Sequence, residues 1–539
     1  MLRRIFVYSL VALGLFAGTA NSNRAFAAES EGQADLDKAT ELKLTAETFE
    51  DLGAVINLTQ SAISRGLDAS NGDFAKKLLA SSLVQRASAY SHVIFDKKPL
   101  DVRWNQIRQA ALVDLERAIK NDNSSSEAQY MISRLQSLPG GNVKRALDAA
   151  NEAIKLAGND DRLKSKSLVL RAGLTEDKKK QLEDLDEAIK ILPGDVEALR
   201  MRGVYHLTQN KADLALKDLD EAAKADPKQI DIHEARGLTL TVLKKYDDAI
   251  KAFDKVLELE PEAYIAMLHR GRAKFLKGDP KSALADLNTA AEKNENNPAI
   301  LYLRARVHQQ LGDTKEALSD IEEAVQLQSG LGPAFGLRAI LAAGSGEYTQ
   351  AIEDLQELRK IAPQNVELMV QLGTLYTISK QHRRAIETYN DVLTADPKNF
   401  TGYRGRADAN LGIGKQDVAI ADYEEAMKIN AEDPGVLNNL AWVLCTSPND
   451  KLRDGKRAVD LAKQACTATS NKQAHILSTL AAAYAEVGEW DEAKKWAKSA
   501  VDAGTPEQKD ELAKEAASYE DKKPWRELQQ EPEDGPAKP

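Results

Sequence analysis

The sequence has few of the residue types from which active sites are usually built. Of 539 residues, 5% are aromatic, two are cysteine and seven are histidine. No histidine pairs with another histidine, a cysteine or a carboxylate at the spacing of metal ligands. A nucleotide-binding glycine loop, a nucleophile elbow and a calcium loop of repeated Asp and Asn are also absent. The sequence therefore argues against a metal centre, a bound cofactor and the common hydrolase classes.

The chain is highly charged and acidic overall. Charged residues make up 29% of it, and the formal net charge is −10. Nucleic acids and anionic lipids attract basic protein surfaces, so neither is an expected partner. Together with the low aromatic content, this composition favours a thin array with much surface, in which each repeat packs only on its neighbours.

The first 27 residues have the pattern of an export signal. Two arginines at positions 3 and 4 precede an apolar run over 5–20, and a small-x-small cleavage motif ends at Ala27. The signal carries three arginines, so its removal changes the net charge from −10 to −13. We expect a cleaved signal peptide and a periplasmic or secreted mature protein of the bacterial cell envelope that starts at Ala28. The alternative is a retained anchor, but roughly 16 apolar residues fall short of the ~20 that span a bilayer.

One alanine recurs with a fixed step of 34 residues through the middle of the chain. Around it, two apolar segments with helical period are joined by a short loop of Gly, Asn or Asp, and a proline closes the pair. A period of 34 is the length of a helix-turn-helix unit that stacks on copies of itself. The recurring alanines are Ala215, Ala249, Ala283, Ala317, Ala351, Ala385 and Ala419.

This unit resembles the tetratricopeptide repeat, which has small residues at positions 8, 20 and 27 and a large residue at 24. The unit that starts at Val366 matches at Gly373, Tyr376, Ala385, Tyr389 and Pro397. Small side chains at these positions let helices approach to the short end of the usual ~8–10 Å interaxial range. The resemblance implies an all-α fold, a right-handed α-solenoid or superhelix of stacked helix-turn-helix units.

The repeat pattern also predicts how the chain is divided. An insertion at about 95–104 interrupts the early helices, and a longer loop at 447–455 interrupts the later ones. The C-terminal units resemble the C-terminal repeats of exported bacterial tetratricopeptide proteins. The predicted segments are a polar linker (28–43), divergent N-terminal tetratricopeptide-like helices (44–126), the array with a 34-residue period (127–433), C-terminal units with a loop insertion (434–503), a capping helix and C-terminal segment (504–528), and a disordered tail (529–539).

Two positions of the repeat vary together. Position 23 is aspartate in almost every repeat with arginine at position 7, and Leu372 at position 7 is accompanied by Thr388. Arg236, opposite Ala252, is the exception. The pattern predicts a ladder of ion pairs between helices, within or across repeats, and the alternative is a row of arginines for anionic ligands. The pairs are Arg86/Asp114, Arg171/Asp184, Arg202/Asp218, Arg270/Asp286, Arg304/Asp320, Arg338/Asp354 and Arg406/Asp422.

The two cysteines, Cys445 and Cys466, could form a disulfide in an exported protein. They are predicted near the ends of two antiparallel helices, so their Cα atoms should be farther apart than the ~7 Å that a disulfide tolerates. We therefore predict two buried free thiols.

The resemblance implies a binding groove lined by the first helix of each repeat, at positions 2, 5, 9, 12 and 13. These positions combine charged, amide and aromatic side chains, which suit an extended peptide or a partner helix. The candidate groove residues are Arg272, Phe275, Tyr302, Arg306, Gln309, Gln310, Arg404 and Asp408.

The sequence thus indicates an exported, non-catalytic scaffold that binds a protein or peptide and needs no cofactor. We expect no nucleic-acid partner and no membrane insertion after signal cleavage. The alternative is an enzyme, or an enzyme-associated protein, with an unrecognised site in the divergent region 44–126. In that region His92 is the candidate base, and no obvious nucleophile accompanies it.

Overall fold

A computed structural model describes residues 31–95, 102–328 and 330–527. Over these residues the secondary structure is helical and contains no strand, which confirms the all-α prediction. The predicted signal peptide, most of the 95–104 insertion and the predicted disordered tail lie outside the described residues.

The helices are α1 Glu31–Thr45, α2 Phe49–Arg65, α3 Ala69–Phe95, α4 Trp104–Asn121, α5 Ser126–Gln136, α6 Val143–Leu156, α7 Asp161–Leu174, α8 Lys178–Ile191, α9 Val196–Thr208, α10 Ala212–Ala225, α11 Ile230–Val242, α12 Tyr246–Leu259, α13 Tyr264–Lys277, α14 Pro280–Lys293, α15 Pro298–Leu311, α16 Thr314–Leu327, α17 Gly332–Gly344, α18 Tyr348–Ile361, α19 Val366–Ile378, α20 His382–Ala395, α21 Phe400–Gly412, α22 Gln416–Ile429, α23 Pro434–Thr446, α24 Gly455–Ala468, α25 Ala474–Glu486, α26 Trp490–Ala503 and α27 Pro506–Glu520.

The chain forms two compact units, residues 1–277 and 278–539. In unit 1, helices pack in consecutive pairs from α1/α2 to α11/α12, and α13 packs on α12. In unit 2, pairs run from α15/α16 to α25/α26, and α27 packs on α26. Each pair also contacts the next one along the chain, so each unit is an α-solenoid.

In seven successive repeats, the turn between the two helices contains one residue in the left-handed conformation. Positive φ recurs with the 34-residue step, and four of the seven residues are glycine, which has no Cβ to oppose this conformation. The residues and φ values are Asn210 (57°), Lys244 (58°), Gly278 (95°), Gly312 (86°), Gly346 (82°), Lys380 (60°) and Gly414 (74°).

The first helix of many repeats begins at a capping Asp or Asn. At α21, Asn399 Oδ1 accepts a hydrogen bond of 2.8 Å from the Gly402 backbone N–H. Asp195, Asn365 and Asp433 cap α9, α19 and α23 in the same way. These caps satisfy backbone donors that a helix start leaves without a partner.

Close helix packing explains the small residues of the repeat. All seven recurring alanines are fully buried. The Tyr389 ring fits between two glycines: a Cβ atom added at Gly373 would lie 2.8 Å from it, and one added at Gly405 would lie 2.2 Å from it. A large residue at position 24 therefore requires small residues on its own first helix and on the next one.

The linker predicted at 28–43 is instead a helix over most of its length. Within α1, Leu36 and Ala39 are buried and belong to a core that includes Ala62 of α2. Their spacing places both on one side of the helix, while Asp37, Lys38 and Glu41 are exposed on the other. The segment is polar on average, so its narrow apolar face was not recognised from the sequence.

The predicted ladder of ion pairs is confirmed for six of its seven members. In each, the arginine Nε and Nη2 atoms donate hydrogen bonds of 2.5–2.9 Å to both carboxylate oxygens. The aspartates are buried, as in Arg338/Asp354, where Asp354 is 1% exposed. The seventh pair, Arg270/Asp286, has its two residues in different units and stays a prediction.

Several of these arginines also reach the second helix of the preceding repeat. Nη1 of Arg202 donates to Asp186 at 2.8 Å, and Nη1 of Arg406 donates to Asn390 at 2.7 Å. Arg236 was expected to stand alone, but its Nε donates to Asp220 of the preceding repeat at 2.6 Å. Position 7 therefore ties repeats together as well as the two helices of one repeat.

The two cysteines are free and buried. Burial raises the pKa of the Cys466 thiol to about 11 and raises the pKa of Cys445 as well. Since the thiolate is the reactive form of cysteine, both thiols should be inert at neutral pH.

We expect strong energetic coupling between Arg304 and Asp320. Their hydrogen bonds raise the pKa of Arg304, and Asp320 is buried, so removing the arginine leaves a buried charge without its partner. A double-mutant cycle of Arg304→Ala and Asp320→Ala should give a coupling energy of about 1–3 kcal/mol in denaturant unfolding. The exposed pair Lys360/Glu357 is the control and should give less than about 0.5 kcal/mol. Equal coupling in both pairs would contradict a structural ladder.

Candidate functional site

Most candidate groove residues lie on one surface of unit 2. We call the surface formed by positions 2, 5, 9, 12 and 13 of α15, α17, α19, α21, α23 and α25 the A-helix face. Arg306 and Gln310 are exposed on α15, Gln309 is exposed beside them, and Tyr302 is half-buried one turn earlier. These four side chains therefore share one part of the face.

Arg404 and Asp408 lie on α21 in the same face, but both take part in contacts within the scaffold. Arg404 Nη1 lies 3.6 Å from Asp433 Oδ1. Asp408 Oδ1 accepts a hydrogen bond of 2.5 Å from Tyr423 Oη and one of 3.1 Å from Asn439 Nδ2. Burial raises the pKa of Asp408. Asp408 thus has a structural role that the sequence prediction did not include.

The remaining two candidates lie in unit 1. Arg272 is exposed and Phe275 is half-buried, both on α13. They stay predicted binding residues for that unit alone.

Two apolar residues of the A-helix face were missed by the sequence prediction. Ile340 on α17 is 63% exposed, and Ile378 on α19 is 52% exposed. They occupy positions 9 and 13, which the resemblance assigns to the groove. The register of the repeat therefore already marked both positions as part of the groove, although neither isoleucine was among the predicted groove residues.

A cavity of about 300 Å³ lies at the C-terminal end of the A-helix face, between α23, α25 and α27. The same register positions, continued past the end of the regular array, would have found four of its ten lining residues. The lining residues are Asn438, Asn439, Trp442, His475, Ser478, Thr479, Gln508, Glu511, Leu512 and Glu515.

The orientation of Asn438 follows from its hydrogen-bond network. Asn439 Nδ2 donates to Asp408, so Asn439 Oδ1 is an acceptor. Asn438 Nδ2 donates to that oxygen at 3.2 Å. The Asn438 Oδ1 atom is then left buried and without a hydrogen-bond partner, in a residue that is 7% exposed.

The acidic side of the cavity belongs to α27. Glu515 is buried and accepts a hydrogen bond from Ser478 Oγ of α25. Burial, with smaller contributions from Glu511 and Glu527, raises the pKa of Glu515 to about 7. Burial also lowers the pKa of His475, which favours its neutral form.

The segment 521–527 fixes one wall of this cavity. The Glu527 backbone N–H donates to Thr446 O at 3.0 Å, and the Trp442 indole N–H donates to the Glu527 carboxylate. Arg526 donates to Cys445 O at 3.1 Å and pairs with Glu486 at 2.6 Å. The C-terminal segment is therefore attached to the ends of α23 and α25.

A second cavity, of about 320 Å³, lies between α10 and α11. Its polar groups largely satisfy one another, since Arg236 bonds to Asp220 and His233 Nε2 lies 2.9 Å from Pro227 O. It is therefore a weaker candidate than the C-terminal cavity.

The predicted alternative site has little structural support. His92 is exposed on the last turn of α3 and lines neither cavity. Among the residues that the structure describes, no group of three or more His, Cys, Asp or Glu is placed to hold a metal ion. None of the described helices is long and apolar enough to cross a membrane.

Comparison with known families matches the repeated part of the chain. One family model described as Tetratricopeptide repeat matches residues 182–230, 235–298, 270–333 and 302–366, and a second with the same description matches 342–407. The curated proteins gave no significant match.

Several solved structures are similar to parts of the chain. A tetratricopeptide repeat protein from Parabacteroides merdae is 19% identical, covering 46% of this chain and 97% of its own, with a TM-score of 0.33. The C-terminal part of a repeat protein from Cytophaga hutchinsonii is 18% identical, covering 44% and 96%, with a TM-score of 0.38. YrrB, described as having an unusual peptide-binding site, is 18% identical, covering 35% and 98%, with a TM-score of 0.34.

We expect Glu515 to make stability depend on pH. Its folded pKa lies above the ordinary value of 4.5, so folding favours the protonated acid. This contribution is complete below about pH 4.5 and is lost as pH rises through 7, by about 1–3 kcal/mol. Glu515→Gln should remove the loss, as measured by denaturant unfolding between pH 5 and 8.

The matched control is Glu520→Gln, on the same helix, whose carboxylate is 67% exposed and pairs with Lys494 at 2.8 Å. It should keep the pH dependence of the natural protein. An unchanged pH dependence in Glu515→Gln would show that this carboxyl does not have a raised pKa.

Proposed function

Because residues 182–407 of this chain are tetratricopeptide repeats, we propose that the protein is an exported, non-catalytic scaffold whose A-helix face binds an extended segment of another protein. Tetratricopeptide repeats generally mediate protein–protein interactions, so a role as an interaction scaffold follows from the family. The position of the binding surface, the form of the partner and the export are the parts that we propose.

The exposure of Ile340 and Ile378 is the observation that carries the proposal. Large apolar side chains are more often buried, whereas these two extend into solvent from successive first helices, at positions that the resemblance assigns to the groove. Apolar side chains that a partner can cover supply most of the energy of such interfaces. A partner with apolar side chains at intervals would therefore find matching contacts here.

The flanking charges indicate the chemistry of that partner. Arg306 is exposed on one side of the two isoleucines, and Arg404 is half-buried on the other. Both belong to the A-helix face, and the 3.6 Å contact of Arg404 with Asp433 is longer than the two hydrogen bonds that hold each ladder arginine to its aspartate. A segment with acidic residues beside its apolar ones would be complementary, and its association should weaken with salt.

The arginine and aspartate pairs and the two cysteines support the non-catalytic part of the proposal. The repeated arginine and aspartate pairs bond to each other inside the scaffold rather than facing a cavity. The two thiols are buried with raised pKa values. These groups stabilise the solenoid, and helix surfaces are left for binding.

Export is supported by the sequence of residues 1–27 alone. We expect the protein isolated from bacterial cells to begin at Ala28, since the cleavage motif ends at Ala27. N-terminal sequencing of that protein checks this. A chain that keeps its first 27 residues would contradict a cleaved signal and favour the retained anchor.

The binding surface is tested by capture from a cell-envelope extract with the mature chain 28–539. Ile340→Ser combined with Ile378→Ser should reduce capture of the partner about tenfold or more, because buried apolar contacts dominate binding. The thermal midpoint should stay nearly constant, since exposed substitutions change stability by about 0.5 kcal/mol or less.

The matched control is Ile361→Ser combined with Ile429→Ser, which changes two isoleucines that are 64% and 43% exposed on second helices. This control should capture the partner as the natural protein does. A second variant, with Tyr302, Arg306 and Arg404 changed to alanine, should also lose the salt dependence of capture. Equal capture by the Ile340 and Ile361 variants would place the binding surface elsewhere.

A further inference from the structure

We infer that the cavity between α23, α25 and α27 is a binding site for a guanidinium group, supplied by an arginine side chain of the partner protein. Asn438, Trp442 and Glu515 form the site, with Glu511 at its rim. The identity of the occupant as part of a protein partner rests on the proposed function. The preference for a guanidinium does not rest on the proposed function, because it follows from the residues that line the cavity.

The first support is a buried hydrogen-bond acceptor without a donor. The network from Asp408 through Asn439 fixes the Asn438 amide so that its Oδ1 atom has no partner. Leaving such a group unsatisfied is unfavourable, because it has lost its water without gaining another donor. Asn438 is among the residues that line the cavity, so a ligand that enters and displaces the groups covering Oδ1 can donate a hydrogen bond to it.

The second support is the balance of charge around the cavity. From α27, Glu515 lines it and Glu511 lies at its rim, and Glu527 of the C-terminal segment accepts the hydrogen bond of the Trp442 indole N–H. The groups on α25 are Ser478 and the neutral His475, and those on α23 are the amides Asn438 and Asn439. The nearby Arg526 is paired with Glu486 instead. The cavity thus carries negative charge that its own residues do not balance.

The third support is the shape of the site. Trp442 lines the cavity, and because its indole N–H already donates to Glu527, a ligand would contact Trp442 through the ring rather than through the N–H. A guanidinium is planar, stacks on aromatic rings and donates hydrogen bonds in a fork, which suits an acceptor amide beside a carboxylate. A volume of about 300 Å³ is at the lower end of the range of ligand pockets. One arginine side chain is a fitting occupant.

This site should couple binding to pH. With its pKa raised to about 7, Glu515 is largely protonated below neutral pH, and a bound guanidinium would favour the carboxylate. Binding at low pH must therefore release one proton from Glu515 to solvent. Affinity should increase up to about tenfold per pH unit below pH 7 and level off above it.

The test uses the mature chain and N-acetyl-L-arginine amide as the probe, with N-acetyl-L-citrulline amide as its neutral counterpart of similar shape. By NMR titration at pH 8 we expect the arginine compound to bind with a Kd on the order of millimolar. The citrulline compound should bind at least about tenfold more weakly, and the arginine compound should lose about tenfold in affinity at pH 6. Equal binding of the two compounds, or binding that is independent of pH, would overturn the inference.

Three variants locate the site. Glu515→Gln resembles the protonated acid, so it should fold, weaken arginine binding and remove its pH dependence. Glu511→Gln changes an exposed rim residue and should weaken binding a few-fold whether or not the Glu515 variant folds well. Glu520→Gln is the control and should bind as the natural chain does. Retained pH-dependent binding in Glu515→Gln, or unchanged affinity in Glu511→Gln, would contradict the assignment.

The inference about the cavity and the proposed function can fail independently of each other. A failure of the arginine probe, with capture still dependent on Ile340 and Ile378, would overturn the cavity alone. Binding of the probe, with capture that does not depend on the isoleucines, would overturn the proposed surface alone.

Discussion

The close approach of the two helices of each repeat is the contact on which the rest of the structure depends. Fully buried alanines occupy the helix crossing in seven successive repeats. Glycines leave room for the aromatic ring at position 24, as Gly373 and Gly405 do for Tyr389. At larger separations the arginine at position 7 could not donate to both oxygens of its aspartate and also reach the preceding repeat. Small residues therefore determine the geometry of the polar network as well as that of the core.

This network decides which charged residues are available for binding. The position 7 arginines are held by buried carboxylates, so they stabilise the solenoid rather than attract anionic ligands. The A-helix face then presents exposed isoleucines together with the side chains of Arg306 and Arg404. A solenoid can vary these outward positions with little effect on stability, because packing depends on the other positions.

The C-terminal end differs from the regular array, and the cavity results from that difference. Arg453 of the lengthened loop donates to Ser447 O at 3.0 Å and to Glu486 at 2.9 Å, and Arg526 approaches the same carboxylate from the C-terminal segment. These contacts hold α23, α25 and the segment 521–527 together. A carboxyl with a pKa near 7 and an unpartnered amide oxygen are left in the resulting space.

The sequence by itself determined the helix pairs, the crossing alanines and six of the seven pairs of the arginine ladder, because repeats within one chain can be compared position by position. Most A-helix positions of the candidate site were also predictable from the register. Only the tertiary structure showed that α1 packs on α2, that Arg236 bonds to Asp220 of the preceding repeat and that Asp408 is bonded within the scaffold. It also brought Asn438 and Glu515 to one cavity. The physical reason is that a repeat pattern records which residue types recur at a position, whereas the partner of each side chain depends on how neighbouring helices pack. The contact of Arg236 with Asp220 recurs at the same spacing as that of Arg202 with Asp186, but its partner belongs to a different repeat. Asn438 and Glu515 meet once, at the irregular C-terminal end.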